Sequence, residues 1–332
     1  AAAAESAGAI DFEFAEILRG VDHTHHVPKG YTADLLLRWG DPLFEDSPPF
    51  DPHNQSETAQ LRQFGYNCDY IGFVPLPATE AGEARGLLCV NHEYVSTALM
   101  LPDVAAGYPA SMTAEHCLTE MAAHGGSVVE IVERSSGWRP VVGSPFNRRI
   151  SAHRTPMELT GPAAGSPRLV TRKDPSGRVA AGMMNNCAGG ITPWGTWLMA
   201  EENFHYYFEG ELEGHPERRN YERYGIPKQR YGLSRHHARF DINREPNEAN
   251  RFGWIVEVDP LDPASMPVKR TALGRFKHEG AECIVNKDGR LVIYSGDDQR
   301  FEFLYKFVSR GKVDMQNREA NRDLLDDGTL YV

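Results

Sequence analysis

Apolar residues in this chain fall in short runs that end at turn signals. Ser127-Val128-Val129-Glu130-Ile131-Val132 passes through Ser135-Ser136-Gly137 into Trp138-Arg139-Pro140-Val141-Val142. Gly253-Trp254-Ile255-Val256-Glu257-Val258 passes through Asp259-Pro260 into Val268-Lys269-Arg270. Glu282-Cys283-Ile284-Val285 turns at Lys287-Asp288-Gly289 into Arg290-Leu291-Val292-Ile293-Tyr294. Apolar runs of about five residues bounded by turn formers predict strands, and two around a tight turn predict a hairpin. The first two hairpins share the core Gly-x-(Val/Ile)-Val-Glu-(Ile/Val), a partial repeat. Phe301-Glu302-Phe303-Leu304-Tyr305-Lys306-Phe307 alternates as a half-buried strand does.

Helix signals are few. The best spans Thr113–Met121, with Ser111 or Thr113 as N-cap and Gly125-Gly126 as the stop. Residues 21–58 are loop-like, and 204–250, rich in Tyr, Arg, Glu and Asn, predict a long insertion or lid. Many hairpins, one partial repeat and few helices predict an all-β chain with radial repetition, a six-bladed β-propeller, with a β-sandwich as competitor. The expected organisation is one domain over 1–332. Asp326-Asp327-Gly328-Thr329-Leu330-Tyr331-Val332 reads as a turn opening into a strand. The expectation is therefore a C-terminally truncated chain whose native polypeptide continues past Val332.

Three of the predicted strands run into acids. Leu87-Leu88-Cys89-Val90 leads to Asn91-His92-Glu93, Thr196-Trp197-Leu198-Met199-Ala200 to Glu201-Glu202, and Leu291-Val292-Ile293-Tyr294-Ser295 to Gly296-Asp297-Asp298. A single instance reads as a solvated strand terminus. Three can converge, and crowded carboxylates are tolerated mainly where cations neutralise them. A multi-metal site follows as the leading hypothesis.

Composition narrows the partners. The chain has 332 residues, 41% hydrophobic and 24% charged, with a net charge of −11, which argues against a nucleic-acid surface. An anionic substrate would need its field supplied locally, and Arg275, Lys277 and Arg300 are candidate phosphate-facing cations. Asn91, at the first acidic strand end, joins Arg275 and Lys277 as the candidate catalytic set. Lys277-His278-Glu279-Gly280 supplies a further acid ahead of a strand. Five scattered cysteines form no CxxC pair and no disulfide framework. Cys187 stands apart, inside Asn185-Asn186-Cys187-Ala188-Gly189-Gly190-Ile191-Thr192-Pro193-Trp194-Gly195-Thr196. A thiolate suits iron, zinc or copper, whereas carboxylates suit calcium and magnesium, so a cysteine among acids implies a mixed site. A lone cysteine also reads as a small buried hydrophobe. His23, His25 and His26 offer a second, separate metal-type cluster. No run is long and apolar enough to span a membrane. The start Ala1-Ala2-Ala3-Ala4-Glu5 suits the stump of a removed export signal or a trimmed chain.

Together these stretches resemble the PhoX family of bacterial alkaline phosphatases. The resemblance is carried by Tyr70-Ile71-Gly72-Phe73 with Val90-Asn91-His92-Glu93-Tyr94, by Asn186-Cys187-Ala188-Gly189-Gly190 with Thr192-Pro193-Trp194-Gly195-Thr196, by Ala200-Glu201-Glu202-Asn203, and by Gly274-Arg275-Phe276-Lys277-His278-Glu279-Gly280. It implies a propeller-fold phosphomonoesterase, exported folded by the twin-arginine route to the periplasm or medium, with iron (Fe3+) and calcium (Ca2+) in its site. Cys187 matches the family's iron-ligating cysteine and Glu279 its iron-ligating glutamate. Glu93, Glu201, Glu202, Asp297 and Asp298 would be acidic ligands, some bridging to calcium. The family's later Arg-Pro-Glu motif, whose arginine faces phosphate and whose glutamate binds iron, has no match in this chain. The implied partner is a small phosphate ester, and the expected state a monomer. Two rivals are a calcium-dependent, lactonase-like propeller hydrolase and a non-catalytic calcium-stabilised module, neither of which needs iron.

Overall fold

A computed structural model describes residues 14–228 and 230–332. The chain divides into an N-terminal unit ending at Leu36 and a main unit from Leu37 to Val332. The described part of the first has neither helix nor strand. There His26 Nε2 meets Asp22 Oδ2 at 2.6 Å, and among the described residues the three histidines form no metal-type group.

Three sheets build the main unit. The first contains β1 (Cys68–Leu76), β2 (Arg85–His92), β3 (Gly125–Arg134) and β4 (Gly137–Pro140) in that order, with β5 (Arg148–Ile150) also on β3. The second gathers β6 (Pro156–Thr160), β7 (Val179–Ala181), β8 (Asn186–Ile191), β9 (Trp197–Glu201), β10 (Ile255–Val258) and β11 (Val268–Arg270) in the order β7-β6-β11-β10-β9-β8. The third runs β12 (His278–Val285), β13 (Arg290–Asp297), β14 (Leu304–Lys312) and β15 (Gly328–Tyr331). Neighbours pair antiparallel except β6 with β11, which is parallel. The three hairpins expected from the apolar pattern are β3–β4, β10–β11 and β12–β13.

Side-chain alternation explains how the sheets stack. On β9, Trp197 and Met199 join a core shared with Leu87, Cys89 and Val128 of the first sheet. Leu198 and Ala200 point the other way, into a core with Leu291, Ile293 and Phe307 of the third. The middle sheet is thus covered on both faces, so β9 reads as a continuous apolar run rather than an alternating one. A third core, rich in Tyr and Phe, packs the 204–250 segment with residues from Val95 to Met121. Among its described residues that segment carries one α-helix, Arg218–Tyr224, short 3-10 turns and no strand.

Two local expectations shift. The expected helix is present, over Ala114–Ala123, and Thr113 caps it by accepting the His116 N–H. It stops at His124 in extended backbone, however, because Gly125 and Gly126 already belong to β3 and pair with His92 and Asn91. The alternating run from Phe301 becomes a strand only at Leu304: Phe301 has φ of 69° and stands almost wholly exposed in a turn. The alternation of aromatics marks a strand but not its start, and the preceding Asp298-Gln299-Arg300 turn extends through Phe301.

Candidate metal centre

One edge strand from each sheet meets at a common line: β1 and β12 both run alongside β8. Close approach there depends on glycine. A Cβ on Gly190 of β8 would lie 2.0 Å from the Ala281 carbonyl oxygen of β12, closer than any real contact allows. Each of the three strands is also bulged where it begins, between Cys68 and Ile71, between Asn186 and Gly189, and between Glu279 and Glu282. Bulges break the alternation and re-aim side chains. Asp69 and Cys187 sit within two of these irregularities and Glu279 borders the third, where Gly280 takes a φ of 90°. Three bulges thus turn three donors toward one place.

There the ligand atoms of Cys187, Glu202 and Glu279 lie within 4.8 Å of one another. Among the described residues they are the one such metal-type group. The Cys187 thiol is buried and donates to the His278 carbonyl at 3.3 Å. Asn91 secures the strand beneath it, its amide donating to the carbonyls of Cys187 at 2.5 Å and Ala188 at 3.1 Å. Burial, then the charges of Glu202 and Glu279, push the Cys187 thiol far above its ordinary range. Burial raises Glu202 to about 9, helped by its hydrogen bond to Asp298 and the charges of Glu279, Asp298 and Glu93. Glu93 is lifted to about 7 by burial, then by Asp69 and Glu279. Burial, then the charges of Asp298 and Asp69, raise Glu279, and burial raises Asp69 against the hydrogen bond it shares with Glu93. Asn185 donates to Glu93 at 3.3 Å, and its own Oδ1 is buried with no partner. The group therefore repels itself and leaves acceptor atoms unsatisfied, and an added cation corrects both faults.

Beside the centre opens a cleft of about 500 Å³, lined by Lys277, Asp298, Gln299 and Arg300 on one side and by His205, Tyr206, Arg223 and Lys228 of the 204–250 segment on the other. Lys277 donates to Gln299 at 2.6 Å; burial lowers its pKa, while Asp297, Glu202 and Asp298 oppose that.

Of the acids expected to bind metal, Glu93, Glu202, Glu279 and Asp298 come together with Cys187. Glu201 does not. It points to the opposite face, fully buried, accepting from Lys269 Nζ at 2.9 Å, from the Met184 N–H, and from the Gly253 and Trp254 N–H groups. Adjacent residues on a strand face opposite sides, so a Glu-Glu pair at its end cannot deliver both carboxylates to one ion. Asp297 faces Arg223, 3.9 Å away, and Glu302 rather than the thiol. Arg275 is likewise turned away from any phosphate: its guanidinium donates to the Phe252 and Ala249 carbonyls and stacks on Phe204 and Tyr224. Asn91 binds backbone, so its place is in positioning the thiol. The sequence did not single out Asp69, a lone acid at the second position of β1 whose placement depends on the bulge between Cys68 and Ile71. Nor did the sequence single out Arg223 and Lys228, whose charges sit in irregular text.

A family model described as alkaline phosphatase PhoX matches residues 12–332. The solved structure of Pseudomonas fluorescens PhoX in complex with vanadate, a transition state analogue, is 43% identical, with a TM-score of 0.86 over 92% of this chain and 52% of that one. The chain thus spans about half the length of that structure. No curated protein matches.

Proposed function

We propose, from the premise that this chain belongs to the PhoX family of alkaline phosphatases, that it serves the hydrolysis of phosphate monoesters at a thiolate–carboxylate metal centre. The observation that carries the reading is the Cys187–Glu202–Glu279 cluster opening beside a cleft with basic walls. A buried thiol among acids suits a mixed set of ions. Cys187 with Glu279 would hold Fe3+, and Glu202, Glu93, Asp69 and Asp298 offer the hard oxygens that Ca2+ prefers. Bound there, such ions supply charge neutralisation for phosphoryl oxygens and an activated nucleophile without a protein one.

The chain's own groups then have separate tasks. Asn91 and Gly190 fix the spacing of the strands that carry the thiol and Glu279. Lys277, held by Gln299 on the cleft wall, offers positive charge where an ester's phosphoryl group enters. Lys228 and Arg300 draw an anion toward a protein whose net charge is negative.

The same reading extends to architecture and setting. Three sheets stacked face to face, with β1, β8 and β12 side by side at their edges, support a reading as neighbouring propeller blades whose inner strands line the axis. A six-bladed propeller with residues 204–250 as an insertion is the reading they support. Among the described residues no helix is long and apolar enough to cross a membrane. We place the protein as an exported monomer, periplasmic or secreted.

Metal analysis with turnover of an aryl phosphate tests the proposal. Purified protein should carry iron and calcium, lose activity to EGTA and regain it with added calcium. Activity toward lactones without iron would favour the calcium-hydrolase rival and overturn this one.

A further inference from the structure

Arg275 is occupied inside aromatic packing, and Arg223 is paired with Glu302 at 2.8 Å. Arg230 is in a different situation. Its guanidinium lies over three tyrosine rings, with its centre 4.6 Å from that of Tyr206, 5.3 Å from Tyr231 and 5.9 Å from Tyr94. Tyr206 lines the cleft, and Tyr94 directly follows Glu93 of the metal centre. The residue thus stands where cleft and centre meet. Its side chain is exposed, and among the described residues it forms no ion pair.

Stacking on aromatic faces holds a guanidinium's plane while leaving its in-plane N–H groups available. Those N–H groups are the fork that matches two oxygens of a phosphoryl group. We propose that Arg230 is a phosphate-binding guanidinium of this site, its plane fixed by Tyr206, Tyr231 and Tyr94 and its edge donating to two phosphoryl oxygens of the ester. The proposal rests on the phosphatase reading and names the residue that recognises the substrate's charged group.

Two readouts on metal-loaded protein of verified iron and calcium content test it: calorimetric binding of inorganic phosphate, and turnover of an aryl phosphate. Arg230→Ala should weaken phosphate binding and lower kcat/KM by about a hundredfold, the loss typical of one oxyanion donor, with metal content unchanged. Arg230→Lys keeps a charge on the rings but has no planar fork, so it should recover less than about a tenth of that loss. Added guanidinium ion should partly rescue Arg230→Ala. Wild type that binds phosphate through Arg230 yet turns over no ester would sink the phosphatase reading and leave this inference standing. Wild type that turns over, beside an Arg230→Ala variant within about twofold in both readouts, would overturn the inference and spare the reading. A wild type that binds no phosphate overturns both. Should the alanine variant misfold, an Arg230→Lys variant with wild-type affinity and rate overturns the claim of bidentate recognition.

Discussion

Two sets of acids lie along the middle sheet's strands, and they treat their carboxylates in opposite ways. Around Arg270 every buried acid has a cation. Glu257 accepts from Arg270 at 2.7 Å, Thr196 at 2.5 Å and Trp194 at 3.2 Å. Asp326 takes a second Arg270 nitrogen at 2.8 Å, Asp259 takes both ends of Arg318, and Glu201 holds Lys269 with both side chains wholly buried. Around Cys187 the acids have one another. Glu202, Glu93 and Glu279 are raised by burial and mutual charge, Asp69 by burial alone, and Lys277 is the buried cation at their margin. Acids at strand ends are therefore common to both regions. What separates a site from a strut is the missing countercharge, because a buried charge left unpaired is tolerated only where something outside the chain completes it.

The comparison breaks most visibly if the thiol is not special. Cys187→Ala should remove iron and cost on the order of a thousandfold in kcat/KM, the equivalent of several kcal/mol of charge stabilisation. Cys89→Ala, which empties space in the apolar core between the first two sheets, should keep its metal and lose only stability. Metal content and rate on the two purified variants decide it, and a fully active, iron-loaded Cys187→Ala protein would erase the distinction.

The next largest effect tests the sign of each region's electrostatics. Lys269→Met strands the Glu201 carboxylate and should cost about 3–5 kcal/mol in urea denaturation. Glu202→Gln instead removes a group that the metal-free fold must keep protonated, so near neutral pH it should stabilise the metal-free protein and cancel the stabilisation that calcium gives the wild type. If both substitutions destabilise the metal-free chain alike, the two regions are not different in kind.

How much of this was readable beforehand follows the same divide. The three hairpins were legible because apolar runs and turn residues are local signals, and β2, β9 and β13 emerged where expected. Cys187 stood out by its unusual glycine-rich stretch, but its ligand role and that of Glu279 came from the resemblance to the family's motifs. The distribution of the acids was not legible. Glu201 and Glu202 are adjacent in sequence, and only β9's two covered faces reveal that one meets Lys269 and the other Cys187. Bulges hide as well, since no residue pattern announced that β1, β8 and β12 would each lose register beside a donor. Arg275 looked like a phosphate ligand because a charge in a motif carries no direction; its guanidinium is consumed by two carbonyls and two rings.

A smaller effect should come from Gly190→Ala. The added methyl meets the Ala281 carbonyl, so β8 and β12 must part, at a cost of about 1–3 kcal/mol. Parting them also separates Cys187 from Glu279, so iron affinity should fall more than stability predicts. A variant that loses stability but titrates iron as wild type does would make Gly190 a packing residue alone.

The mildest test is the dependence of stability on pH, and its value lies in its direction. Glu202 at about 9 and Glu93 at about 7 both sit above their ordinary value of 4.5 in the folded chain. The folded state thus holds more protons than the unfolded one, and the stability this contributes is present below about 4.5 and lost as pH rises through 7 and then 9. Buried histidines such as His278, lowered to about 3, give the opposite slope, but their unfolded-state titration is largely complete by pH 7. Between about pH 7 and 9 the metal-free protein should therefore lose stability steadily. Glu120, raised to about 8 by burial in the aromatic core, adds a slope of the same sign that metal leaves in place. Iron and calcium remove only the part owed to the centre, because ions compete with protons for the same oxygens. Urea midpoints across this range, chelated and loaded, should diverge as pH rises, and Glu202→Gln should narrow the divergence. Chelated and loaded curves that run parallel would mean that these carboxylates already have the cations they need within the chain.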